Sequence, residues 1–113
     1  MGKQVDLLQG TLDMLILKAV SLDRLHGYGV LIRLQQLTGG KLQIQQGSLY
    51  PALYRLERQK LIAAEWGESE NHRKAKFYRL TATGRKHLKT ETDSWNRFSE
   101  VVAGVLSTLP EEL

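Results

Sequence analysis

Residues 45–61 read QQGSLYPALYRLERQKL, with small, flexible residues and a proline ahead of a run in which leucine, tyrosine and arginine recur at helical spacing. Pro51 restricts where a helix can begin, because its ring removes the backbone N–H that an interior turn would need. With Ser48 as N-cap, Pro51 falls in the first turn. Leu49, Ala52, Leu53 and Leu56 then form the buried stripe, leaving Ser48, Tyr50, Pro51, Tyr54, Arg55 and Arg58 on or near the opposite side. A plain surface helix carries Glu, Lys or Gln there. Rotating the helix would bury the tyrosines as core aromatics, and pairing with Glu57 or Asp13 would occupy the arginines.

The flanking elements decide what this helix belongs to. Upstream, Thr11 can cap a helix in which Leu12, Leu15, Ile16, Ala19, Val20 and Leu22 make a broad apolar stripe, with Asp13 near the positive end. The glycines of Leu25-His26-Gly27-Tyr28-Gly29 permit a turn, and a second helix follows with Tyr28, Leu31, Leu34 and Thr38 on one face, stopped by Gly39-Gly40. Downstream the period changes to that of strands. Residues 61–66 and 75–80 form a hairpin around a polar loop from Gly67 to Lys74, with Tyr78 packing beneath it. Thr81 or Thr83 caps a last, long helix in which Leu88, Thr92, Trp95, Phe98, Val102, Val105, Leu106 and Leu109 recur every three or four residues until Pro110.

The expected fold is therefore mainly α with a small β-hairpin: a winged helix-turn-helix domain over residues 1–82 and a long C-terminal dimerisation helix over 83–113. In that fold the third helix enters the major groove of duplex DNA and the hairpin reaches the neighbouring backbone. Tyrosine hydroxyls and arginine guanidinium groups donate to phosphates, and arginine pairs bidentately with guanine.

Charge placement agrees with this. The 113 residues carry a net charge of +4, but residues 41–90 hold eleven bases and four acids, whereas 91–113 hold one base and five acids. From Asn71 to Thr90 there is no acid, while Arg73, Lys74, Lys76, Arg79, Arg85, Lys86 and Lys89 all fall there. Such a run is often only a solvated face. Beside a candidate recognition helix it supplies the sequence-independent attraction to phosphates.

Other classes find little support. There is no cysteine, and His26, His72 and His87 lack ligand spacing, so no metal or other cofactor is expected. His26 is read as a structural hydrogen-bonding residue. No serine sits in a nucleophile elbow, and no glycine-rich phosphate loop is present, so enzymatic activity is not expected. No signal peptide or long apolar stretch is visible, and the reading is of a cytoplasmic protein.

The segments LLQGTLDMLILKAV, HGYGVLIRL, GSLYPALYRLERQKLI and RKAKFYRLTATGRKHL, in this order over roughly residues 6–90, resemble the PadR family of bacterial transcriptional regulators. The single C-terminal helix is similar to that of its short, homodimeric subfamily. The resemblance implies a repressor that binds a double-stranded operator of two inverted half-sites and is released by a small-molecule effector. It opens the recognition helix at Leu49-Tyr50-Pro51 and places the basic wing on Asn71 to Lys76, with His72, Arg73, Lys74 and Lys76 as DNA contacts. It also implies an effector pocket between subunits near Trp95 and Phe98, whose chemistry does not carry over because ligands vary widely in the family. The homodimer interface is expected at Trp95, Phe98, Val102, Val105 and Leu106, helped by Leu7 and Leu8. The alternative from another class is a winged-helix protein-interaction module that never touches DNA; it has no need of bases on both helix and wing.

Overall fold

A computed structural model describes residues 10–113; Leu7 and Leu8 lie outside the described residues. The elements run α1 (Leu12–Leu22), β1 (Leu25–His26), α2 (Gly27–Leu37), α3 (Gln46–Arg58), β2 (Ile62–Glu68), β3 (Lys74–Leu80), α4 (Ala82–Leu106) and a short 3-10 turn, Pro110–Glu112. Helices α1, α2 and α3 pack on one another, and the hairpin β2–β3 closes the body beside them.

The core collects one stripe from each helix. Ile16, Leu17, Ala19 and Val20 of α1 meet Val30, Leu31 and Leu34 of α2 and Leu49, Ala52, Leu53 and Leu56 of α3, with Leu61, Ile62, Tyr78 and Leu80 from the sheet side. Burial of such side chains stabilises by about 1.5–3 kcal/mol each. The α3 stripe falls where its spacing predicts; in α1 the expected Leu12, Leu15, Ile16, Ala19 and Val20 face the core, but Leu22 is exposed at the helix end and Leu17, outside the expected stripe, is fully buried.

Helix ends are set by local chemistry. The His26 ring nitrogen Nδ1 accepts from the Gly29 N–H at 3.0 Å and so caps α2. At the other end Gly39 and Gly40 take φ of 61° and 75°; their N–H groups donate to the carbonyls of Gln36 and Gln35, a Schellman closure. The same closure ends α3 without glycine. Lys60 takes φ 62°, its N–H donates to Glu57 and the Leu61 N–H donates to Leu56. A lysine in this left-handed conformation is uncommon, and the buried contacts of Leu56 and Leu61 hold it there.

Several expectations need correction. Helix α3 begins at Gln46, capped at Gln45, so Ser48 is not the N-cap and Pro51 is the sixth helical residue. The N–H groups of Ser48 and Leu49 already donate to the Gln45 carbonyl. Extended residues leading up to Gln45, with Ile44 buried, carry the chain into helix three residues early, and the missing Pro51 donor affects only the exposed Gly47 carbonyl side. Tyr28 is exposed, because α2 starts at Gly27 and its stripe is Gly27, Val30, Leu31 and Leu34. The strands are longer than predicted, leaving only Ser69 to Arg73 as the loop. Helix α4 stops at Leu106, short of Pro110, so Leu109 lies outside it.

The sheet has a third strand that no periodicity marks. It is ordered β1-β3-β2, with Leu25 opposite Tyr78 and His26 opposite Phe77, while Ile62 to Glu68 pair antiparallel with Leu80 to Lys74. Arg24, just before β1, secures the back of the hairpin. Its guanidinium lies 4.0 Å from the Phe77 ring centroid and its Nε donates to Glu65 at 2.6 Å.

Among the described residues, helix α4 is anchored by its first turns. Thr81 Oγ1 accepts from the Gly84 N–H at 2.9 Å and donates to the Lys60 carbonyl at 2.8 Å. Gly84 is buried, and any Cβ there would collide with the Leu61 carbonyl oxygen. The start of the long helix is thus fixed to the end of α3. Beyond Leu88 the apolar residues of α4 stand on the surface.

Candidate nucleic-acid interface

The outward face of α3 is built by the burial of its inner one. Because Leu49, Ala52, Leu53 and Leu56 are committed to the core, Tyr50, Tyr54, Arg55 and Arg58 must project outward, and Tyr54 is 60% exposed. The Arg58 guanidinium lies 5.8 Å from the Tyr54 ring centroid, a cation–π contact that orients both. Ser48 and Pro51 are exposed in the first half of the helix.

Tyr50 is placed by a glycine. A Cβ on Gly27 would lie 2.5 Å from its ring, so the bare backbone at the start of α2 is what gives the ring its seat. The ring leaves the surface half open. Around it, His26, Gly27 and Tyr28 of β1 and α2, together with Ser69 to Asn71, Arg73 to Lys76 and Tyr78 of the wing, line a crevice of about 420 Å³. The structure therefore brings Tyr50 together with Arg73, Lys74 and Lys76. Tyr54, Arg55 and Arg58 line a separate hollow further along α3 with Gln59.

Tyr28 was not legible as a surface residue. Its three-residue spacing to Leu31 and Leu34 placed it in the apolar stripe, but the ring of Tyr50 occupies the position next to Gly27 and Tyr28 points out beside the wing. The usable signal is the glycine immediately before it, which starts the stripe one residue earlier.

The wing holds its tip by short hydrogen bonds. The Ser69 N–H donates to the Arg73 carbonyl at 2.8 Å and the His72 N–H to the Ser69 carbonyl at 2.9 Å, while His72 takes φ 58° and its Nδ1 lies 2.6 Å from Glu68. Arg73 and Lys74 are exposed, and Lys74 Nζ lies 5.0 Å from the Trp66 ring centroid. Lys76, by contrast, reaches back to α3 and donates to Glu57 at 2.8 Å; that hydrogen bond pushes its pKa above the usual lysine value. Tyr78 is buried beneath the wing, and burial pushes its phenol up.

Arg55 also has a partner. It donates to Asp13 of α1 at 2.6 Å, the pairing that competed with DNA contact in the sequence. Arg58 has no such carboxylate among the described residues. Among those residues there is no grouping of His, Asp and Glu able to hold a metal ion, and no helix is long and apolar enough to cross a membrane.

This arrangement can present hydroxyls, guanidinium groups and ammonium groups to a sugar-phosphate backbone and to base edges at once. Comparison with known proteins agrees. The model of the transcriptional regulator PadR-like family matches residues 16–90. A PadR-like transcriptional regulator from Bacillus cereus superposes with a TM-score of 0.78 at 29% identity, covering 90% of this chain and 97% of that one. A PadR family regulator from Eggerthella lenta gives a TM-score of 0.75 at 31% identity, covering 89% and 86%. An uncharacterised protein of Lysinibacillus sphaericus is 29% identical over 97 residues, which are 86% of this chain and 89% of that protein. With its wing, its exposed tyrosine-arginine helix and its single long C-terminal helix, this chain belongs to the PadR-like family of transcriptional regulators, DNA-binding winged-helix proteins and not enzymes.

Proposed function

We propose that the chain is a homodimeric repressor that reads an inverted-repeat operator and is released from it by a small molecule. The observation that carries the DNA half is the outward face of α3: Tyr50 lies exposed beside Arg73 and Lys74 of the wing, and Tyr54 and Arg58 lie exposed further along the same helix. Ser48, Pro51, Arg55, His72 and Lys76 complete the proposed contact set. In this reading residues 1–82 bind DNA and 83–113 pair the chains, in the cytoplasm.

Pairing is supported by α4. Trp95, Phe98, Val102, Val105 and Leu106 lie open to solvent, Phe98 at 63% and Leu106 at 80%, and a soluble monomer rarely exposes such a contiguous stripe. Leu7 and Leu8 are proposed to extend the interface. In a single chain Trp95 and Phe98 are on an open surface, so a pocket there requires the partner to supply its other wall. Because Thr81 and Gly84 fix α4 to the end of α3, a ligand that changes how two α4 helices cross would move both recognition helices together. Release requires tighter binding of the ligand to the DNA-incompetent arrangement.

The test is to sequence the duplexes that the purified chain retains from a random pool. The expected result is a pseudo-palindrome with half-site centres about one helical turn, roughly 34–36 Å, apart. Retention without any sequence preference would overturn the operator reading, and a single unpaired half-site would overturn the dimeric one.

A further inference from the structure

Five basic side chains of α3 and the wing are candidates for phosphate contact, and the structure does not leave them equivalent. Among the described residues Arg58, Arg73 and Lys74 form no ion pair, whereas Arg55 is held by Asp13 at 2.6 Å and Lys76 by Glu57 at 2.8 Å. The two acids come from different places. Asp13 lies in the first turn of α1, where the helix dipole favours a negative charge. Glu57 lies on α3 itself and joins the recognition helix to strand β3 of the wing.

A cation already matched by a carboxylate brings little net charge to a phosphate. Either the pair breaks when DNA arrives, or the phosphate meets the carboxylate as well; in both cases fewer counterions leave the duplex than for a free cation. We infer that Asp13 and Glu57 are positioning residues that hold Arg55 and Lys76 back from indiscriminate phosphate contact, lowering the affinity for arbitrary duplex and leaving Arg58, Arg73 and Lys74 to carry it. The pairs are partly solvated, with Arg55 at 50% and Asp13 at 34% side-chain exposure, so they contribute little to folding and an amide at either acid is tolerated. The inference rests on the DNA-binding face proposed above.

The experiment is a salt titration of binding to a random-sequence duplex with the whole chain, comparing the unchanged protein with Asp13→Asn, Glu57→Gln and the double variant. Each single variant should bind more tightly at low salt, roughly threefold to tenfold, with the slope of log K against log salt steeper by about one per chain. Asp13→Glu and Glu57→Asp should restore the original slope. Arg55→Ala should leave that slope nearly unchanged, where Arg73→Ala makes it shallower. An unchanged slope in the double variant, or weaker binding at the same slope, would overturn the inference. Binding by the unchanged protein that ignores salt altogether would overturn the DNA-binding face itself, and the two failures are therefore distinguishable.

Discussion

Helices α1 and α4 carry the same kind of apolar repeat and meet opposite fates. In α1 the stripe Ile16, Leu17, Ala19 and Val20 is buried by α2, α3, β3 and the start of α4. In α4 the only fully buried residue is Gly84, and the stripe from Trp95 to Leu106 is exposed. The difference is one of reach. A helix of 25 residues is about 37 Å long. Among the described residues the body beside it covers the first turns and no more, and the described chain measures 63 × 36 × 21 Å. Periodicity thus states that a face will be covered; it does not state whether the cover lies in the same chain.

The sharpest way to break the comparison is at the two glycines of α4. Gly84→Ala drives a methyl into the Leu61 carbonyl and should destabilise the chain by roughly 3 kcal/mol, at the upper end for overpacked sites, because backbone cannot give way as a side chain can. Gly104 has open space around its Cβ position, so Gly104→Ala should instead raise stability by up to about 1 kcal/mol through helix propensity. Urea unfolding of both variants checks the pair, and equal effects would mean that α4 is not anchored at its first turn.

A smaller effect should separate folding from pairing. Phe98→Ala removes an exposed ring from the far part of α4 and should leave the helical circular dichroism intact while weakening self-association at least tenfold, about 1.4 kcal/mol. Sedimentation across a concentration series measures this. Unchanged association would place the proposed interface elsewhere.

The smallest effect concerns the body alone. Burial raises the Tyr78 phenol, and the Glu57 hydrogen bond raises Lys76, so the folded chain holds both protons more tightly than the unfolded one. Their stability contribution is full below about pH 10 and is lost as pH rises through the folded values. Lys76 is partly solvated and Tyr78 is buried, which leaves Tyr78 as the larger contributor. In Tyr78→Phe the fall of melting temperature above pH 10 should be shallower than in the unchanged chain, with little difference at pH 8. An identical alkaline decline would show that the phenol stays accessible.

By itself the sequence determined which residues of α3 and most of those of α1 face the core, that Tyr78 lies under a hairpin, and that Thr81 or Thr83 opens a long helix. These follow from period, β-propensity and capping chemistry, all local to a few residues. It also carried the family, because four separate motifs recur in order. What only the tertiary structure decided depends on groups far apart in the chain. The Tyr50 ring against Gly27 turns Tyr28 outward, and Leu25–His26 becomes a strand only because Tyr78 and Phe77 are there to pair with it. Asp13 reaches Arg55 across 42 positions and Lys76 reaches Glu57 across 19. A local pattern fixes the direction of a side chain relative to its own helix or strand, but which charge waits at the end of that direction is set by how the elements pack.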